Sequence, residues 1–340
     1  MIIGAGIVGT YLGSLMGDVK IFESSEKLRE KSCSGLLSAS GLKALKLPYE
    51  DTLVNEVKGA RMTAGEHSLL IKKRTTQAYV LDRFKLQENT MQMALDNKCE
   101  IEWGKKWKGE KEGFIIGADG ALSTVAATMS IKRDYIYTYQ IRAKCKVEDE
   151  EIVYLHFSKE YAPGFFAWII PEGNGICRIG MGMNKGNAKE NFDTFVKKEN
   201  IQFSGEKDVQ GGIIPIYDGK RIIEGNKALI GDAAAQVKAT TGGGIIFGCK
   251  AAHLLKDSID KNNLNHYQNE FKRKYIKDLI VHKKIRRMMD RADNEAVMKK
   301  LLDNDIQGLI EKYGDMDHPR TLVRHVLMKP KLWGMARHFL

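Results

Sequence analysis

The fold is decided by Ile2-Ile3-Gly4-Ala5-Gly6-Ile7-Val8-Gly9, followed by Val19-Lys20-Ile21-Phe22-Glu23. Two short apolar runs read as buried strands, and the glycine-rich turn between them leads into a short helix, so the segment is a βαβ unit. Each glycine has its own steric reason. Gly4 allows the tight turn, Gly6 lets backbone approach a pyrophosphate, and Gly9 permits close helix–strand packing. The N-terminus of the helix favours phosphate. Glu23 closes the second strand, where an acid can accept hydrogen bonds from ribose hydroxyls. Residues 1–17 carry no side-chain charge and are broken again by Gly13 and Gly17. That pattern is a phosphate loop, and neither a signal peptide nor a membrane span.

Two later segments repeat the strand-then-carboxylate pattern: Gly117-Ala118-Asp119-Gly120 and Ala228-Leu229-Ile230-Gly231-Asp232. In this order after the first loop they point to FAD. The run Thr240-Thr241-Gly242-Gly243-Gly244-Ile245 precedes a helix. Its backbone N–H groups form a nest that can hold negative charge, including that on the N1–O2 edge of a reduced flavin. The expected cofactor residues are therefore Gly4, Gly6, Gly9, Glu23, Asp232, Gly243, Gly244 and Ile245.

Between these segments the pattern changes. Residues 135–146, 151–157, 165–170, 175–182 and 212–216 read as strands of an antiparallel sheet, with a helix over 187–198. Earlier, 41–60 reads as helix and loop, 62–73 as one strand and 84–97 as a helix. The expected class is α/β: a Rossmann-like FAD-binding domain with an inserted antiparallel-sheet substrate domain and a helical C-terminal tail. The boundaries are 1–134 for the FAD-binding domain, with 50–80 partly at the domain junction. The substrate domain spans 135–222, the FAD-binding domain continues over 223–258, and the helical region is 259–340.

Of 340 residues, 43% are hydrophobic and 29% charged, an ordinary globular balance that excludes a disordered chain. The net charge is +11, and residues 261–340 hold 18 Lys and Arg against 10 Asp and Glu. Such a surplus suits an anionic partner. Trp333 and Phe339 among Lys329, Lys331 and Arg337 make a candidate interfacial end, so an anionic membrane surface is the expected partner and nucleic acid is not. The five cysteines form no CxxC pair, which argues against a disulfide framework or zinc site and for a reducing cytoplasm. No metal site is expected.

Two further stretches are Cys33-Ser34-Gly35-Leu36-Leu37-Ser38 and Pro163-Gly164-Phe165-Phe166-Ala167-Trp168-Ile169-Ile170-Pro171. The second reads as an aromatic strand, either core or the wall of an apolar pocket. Taken with the loops above, these residues resemble the geranylgeranyl reductase family of flavoproteins, nearest its archaeal digeranylgeranylglycerophospholipid reductase branch. The resemblance implies the FAD fold of p-hydroxybenzoate hydroxylase and saturation of isoprenoid C=C bonds by hydride from flavin N5. It puts Cys33, Ser34 and Gly35 on a Cys-x-Gly loop that approaches the flavin, and matches Arg83 to a cofactor-contacting arginine. Phe166 and Trp168 fall on an aromatic signature and become candidate substrate-binding residues. Phe166 replaces the signature tyrosine, Ile170 replaces a phenylalanine, and Lys238-Ala239 stands where many relatives of this fold have Asp-Pro.

An isolated alkene has no carbonyl to polarise it, so a proton must arrive as hydride leaves. Cys33 is the candidate acid, with the flavin or an ordered water as alternatives. The substrate is an isoprenoid lipid, and the electron donor is NAD(P)H, ferredoxin or another reduced carrier. The expected location is cytoplasmic and peripheral on the membrane inner face. The rival readings are an FAD-dependent monooxygenase or halogenase of the same fold, and a non-catalytic prenyl-binding protein.

Overall fold

Short β-branched and apolar runs build the first sheet in the computed structural model, which describes residues 1–109 and 113–328. Its six strands lie in the order Ile223–Glu224, Lys227–Leu229, Ile115–Gly117, Ile2–Ile3, Lys20–Phe22 and Glu100–Glu102. All neighbours are parallel except the first pair. Helices cover the sheet, and Ile2, Leu12, Ile21, Ile116, Leu229 and Phe247 are fully buried between the layers. Helix Ile7–Met16 packs on helix Ile245–Asp260, where a Cβ on Gly248 would sit 2.6 Å from Val8 Cγ2. Its other side meets helix Arg83–Asp96, joined by a buried Thr10–Thr90 hydroxyl bond of 3.0 Å.

The second sheet has seven strands, in the order Ser204–Pro215, Tyr135–Lys144, Ile176–Met183, Ala167–Gly173, Ile152–His156, Gly59–Ala64 and His67–Lys72. Neighbours are antiparallel except for the parallel pairing of Ile152–His156 with Gly59–Ala64. The run expected as one strand over 62–73 is a hairpin, because Gly65 at φ 56° turns the chain after Ala64. Residues 41–60 hold helix Ala39–Ala44 and strand Leu53–Val57. That strand joins Leu36–Ser38 and Ala78–Leu81 in a small third sheet.

The C-terminal region turns back onto the molecule. Helix Leu264–Arg291 crosses the core of the first sheet, where Tyr267 is fully buried and donates its hydroxyl to Leu229 O. Helices Asn294–Asp303 and Gln307–Tyr313 cover the hairpin, burying Met298 and Ile306 against Leu69 and Ile71. Among the described residues no helix is long and apolar enough to cross a membrane. The expected interfacial residues Lys329, Lys331, Trp333, Arg337 and Phe339 lie outside the described residues.

One buried polar knot ties this return to the rest. Asp317, with no solvent exposure, takes the Lys238 ammonium at 2.7 Å and the Ser38 hydroxyl at 2.5 Å. Asp278 on the long helix holds Arg320 at 2.7 Å and His318 at 3.0 Å. Burial alone would raise the Asp317 carboxyl, but Lys238 and Ser38 outweigh it and hold it below the usual range. Removing one partner of such a pair strands the other charge, which costs about 3–5 kcal/mol. Asp317→Ala is expected to lose that much in urea denaturation, whereas Lys238→Met combined with Asp317→Leu loses less than either single change. Because the folded pKa is depressed, the contribution is fully present above the unfolded value of about 3.9. It is lost as pH falls through the lower folded value, so the stability gap between wild type and Asp317→Asn should close in acid.

Candidate active site

The parallel strands deliver four loops to one edge. Gly4 follows Ile2–Ile3, Glu23 follows Lys20–Phe22, Asp119 follows Ile115–Gly117, and Gly231 follows Lys227–Leu229. The carboxyl end of a parallel sheet is where such folds bind ligands. Gly4 has φ 106°, and a Cβ there would lie 2.5 Å from Ala118 O. A Cβ on Gly9 would lie 2.0 Å from Gly4 O. Gly6 differs, since its nearest neighbour would be Lys31 Nζ at 3.8 Å. The helix Ile7–Met16 begins there with no side-chain cap, so its first N–H groups face an open cradle.

Glu23 is clamped into this loop. Its Oε2 accepts from Ala5 N at 2.9 Å, and its Oε1 accepts from Ser25 N at 2.9 Å. Burial pushes its carboxyl up, but those N–H groups and the Lys31 charge prevail and the net pKa is lowered. An ionised carboxylate has about four lone-pair sites, which leaves room for ribose hydroxyls. Asp119 is used otherwise. It accepts from Thr124 N at 2.7 Å and from the Ser123 hydroxyl at 2.5 Å, and so secures the start of helix Thr124–Thr128.

The second helix N-terminus, at Ile245, also lacks a side-chain cap. Gly242 has φ 74°, and a Cβ on Gly244 would sit 2.8 Å from Asp232 Oδ1. The Asp232 carboxylate has no hydrogen-bond partner among the described residues. Burial raises its pKa against the pull of Lys31 and Arg83. Arg83 is lowered by burial and opposed by the charges of Cys33, Asp232 and Glu30, so it lies among all three. Its guanidinium also donates to Gln87 Oε1. Lys31 is one residue near these loops that sequence reasoning missed. It faces Gly6, Glu23 and Asp232, but a single lysine in an irregular loop carries no spacing signal.

The Cys33 loop is pinned from the large sheet. Arg178, ion-paired with the buried Glu172, donates to Leu81 O at 3.2 Å and to Cys33 O at 3.5 Å. A Cβ on Gly35, at φ 68°, would lie 2.1 Å from Arg178 Nη1. Cys33 Sγ is half-buried and accepts from Gly35 N at 3.3 Å, and Ser34 Oγ accepts weakly from Leu36 N at 3.4 Å. Gln140 bridges the loop to the aromatic strand. It donates to Cys33 O at 3.2 Å and accepts from Trp168 Nε1 at 3.0 Å.

Phe166 and Trp168 are buried, in a cluster that also holds Phe165, Ile136 and Val153. Phe165 and Phe166 stack at 4.3 Å, and Trp168 meets Phe166 edge-on at 5.9 Å. The next strand makes room for them. A Cβ on Gly180 would lie 2.7 Å from the Trp168 ring, and one on Gly182 would lie 2.5 Å from Phe165. The alternate glycines of Gly180-Met181-Gly182-Met183 were thus a legible sign of an aromatic face. Phe165 also comes within 3.4 Å of a Cβ placed on Gly242, which joins the aromatic cluster to the glycine loop.

Residues 134–213 match the family model of the geranylgeranyl reductase catalytic domain. The chain resembles the geranylgeranyl reductases. A digeranylgeranylglycerophospholipid reductase 2 of Methanothermobacter thermautotrophicus is 25% identical over 58% of this chain. The chain spans 56% of that reductase's length. An uncharacterized protein of Methanocaldococcus jannaschii is 27% identical, with 96% of this chain and 94% of the relative aligned. In fold, the chain is similar to the geranylgeranyl bacteriochlorophyll reductase-like protein of Thermoplasma acidophilum, with a TM-score of 0.83 and 18% identity over 100% and 98% of the two chains. These geranylgeranyl reductase relatives place the chain among FAD-dependent oxidoreductases, and the open cradle, the two uncapped helix ends and the free Asp232 carboxylate fit FAD. Gly6→Val fills the cradle without backbone strain. It is expected to weaken FAD binding at least about tenfold, read by fluorescence titration, with little change in melting temperature. Gly9→Ala, which drives a Cβ into Gly4 O, should lower both.

Proposed function

We propose that this chain is an FAD-dependent reductase that saturates the isoprenoid C=C bonds of geranylgeranyl chains in a digeranylgeranylglycerophospholipid, a precursor of ether lipids. One observation carries the reading: Gln140 binds the Cys33 carbonyl and the Trp168 indole together. With Phe165 against Gly242, the Cys33 loop, the aromatic strand and the glycine loop lie in one region, and the aromatic strand falls within residues 134–213, which match the family model.

FAD, when bound and reduced, supplies hydride. The residues of the chain do the rest. Cys33 donates its thiol proton to the second alkene carbon, so that two C–H bonds form as the π bond is lost. The resulting thiolate is held by the Gly35 N–H and the Arg83 charge until solvent returns the proton. Phe166 and Trp168 face the apolar chain, whose burial is worth about 0.8 kcal/mol per CH2. Phe166 has no hydroxyl, so the acid cannot come from that position. The electron donor in this reading is NAD(P)H, ferredoxin or another reduced carrier.

A hydrophobic substrate is collected at a membrane surface. Helix Arg320–Leu327 leads Arg324 and the exposed Leu327 and Met328 outward, and each Lys or Arg near an anionic bilayer adds about 1 kcal/mol. Binding to anionic vesicles should therefore appear in flotation at low salt and vanish at high salt. Binding insensitive to salt would count against a peripheral electrostatic mode.

The reaction is tested on purified, FAD-loaded protein reduced anaerobically with dithionite and mixed with the digeranylgeranyl phospholipid. Mass spectrometry should find products heavier in steps of one H2. Unchanged lipid, with oxygen-dependent NAD(P)H consumption in air, would move the assignment to the monooxygenase or halogenase class. Cys33→Ala should keep its FAD spectrum and lose saturation of the lipid. Undiminished turnover in that variant removes Cys33 as the acid.

A further inference from the structure

Arg286 is a buried cation that the proposed reaction does not use. It sits on the long helix Leu264–Arg291 with 4% exposure. Its Nε donates to Ala239 O at 3.1 Å, just before the glycine run 242–244. Its guanidinium carbon lies 4.3 Å above the Phe165 ring. Among the described residues, Nη1 and Nη2 are both buried without a hydrogen-bond partner. The nearest carboxylate is Asp290, whose Oδ1 is 3.8 Å from Nη1. Burial pushes the guanidinium down to about 10, so it still carries its charge at neutral pH.

The same loop has a second buried cation, with a different balance. Lys238 lies against Gly243, but Asp317 neutralises it at 2.7 Å. His282, one turn before Arg286, bonds the Thr240 hydroxyl at 2.6 Å and is held largely neutral by burial, its pKa pushed down to about 4. Of the three groups behind the loop, Arg286 is therefore the one whose charge is least compensated. A buried polar group left unpaired is costly, and a charge more so. Here the charge stands behind a backbone nest and an uncapped helix end that already favour an anion.

We propose that Arg286 is a positioning residue for the cofactor's electronics: a fixed positive charge behind residues 239–244 that stabilises the reduced, anionic form of FAD over the oxidised form. This rests on the FAD reading above. Two-electron reduction with uptake of one proton leaves one negative charge spread over the pyrimidine edge of the flavin. A cation held in a low-dielectric wall lowers the energy of that form and leaves the neutral oxidised ring nearly untouched. The midpoint potential rises accordingly.

The test is the midpoint potential of the FAD-loaded protein, measured against reference dyes with xanthine and xanthine oxidase. Arg286→Met is expected to weaken retention of the reduced form over the oxidised form about tenfold, a fall of about 30 mV for a two-electron couple. Arg286→Lys keeps the charge and should stay near wild type. Asp290→Asn, at a partly exposed position, removes the compensating carboxylate and should raise the potential. It also decides the matter if the methionine variant does not fold. A lower melting temperature with unchanged potentials in both Arg286→Met and Asp290→Asn would overturn the proposal and leave Arg286 a packing residue. A wild-type protein that takes up no FAD would overturn the FAD reading itself, and this inference with it.

Discussion

The structure depends on one close approach. A Cβ on Gly9 would lie 2.0 Å from Gly4 O, and one on Gly4 would lie 2.5 Å from Ala118 O. Three backbones are therefore in contact where helix Ile7–Met16 leaves the sheet. That contact fixes the height of the helix above the strands and leaves its first N–H groups uncovered. It also brings the 118–119 loop against the first. The parallel strands can then end at a common edge, and Glu23, Gly231 and Asp232 arrive there as a consequence of register rather than by separate adjustment.

This part of the fold was legible because it is local. Short apolar strands, glycines at steric pinch points and a carboxylate at a strand end all leave marks within a few residues. The strands from 135 to 183 were equally readable from alternation, although the last strand proved longer than its apolar half, running over Ser204–Pro215. What was hidden is long-range. Nothing near residues 59–72 announces that they extend the large sheet, since a parallel pairing with Ile152–His156 is made across about ninety residues of chain. Lys31, Gln140 and Arg178 were hidden for the same reason. Each is an ordinary polar residue until folding places it beside Gly6 or the Cys33 carbonyl. Asp119 shows the reverse case, a carboxylate in a suggestive position that is consumed by the start of its own helix.

The Cys33 loop has a different kind of order. It has no regular secondary structure of its own, and its shape comes from outside. Arg178 and Gln140 hold its carbonyl, and Gly35 accommodates the arginine. Glu172, only 6% exposed, orients Arg178 in turn. A thiol placed on such a loop owes its position to the large sheet, while the glycine-rich loops belong to the parallel sheet. The chemistry proposed here thus depends on the two sheets keeping one fixed relation.

The knot at Asp317 sets a time order on assembly. Ser38 and Lys238 are joined through a carboxylate that lies 279 residues after the first of them. As the chain emerges from the ribosome, the first glycine loop and its helix can form early. The late glycine loop can form only after residue 245, and its lysine stays unneutralised until residue 317 has followed. Any function that needs both glycine loops in place then waits for the same segment that locks the long helix. Until then the apolar strands of the parallel sheet lack the cover that the long helix Leu264–Arg291 supplies.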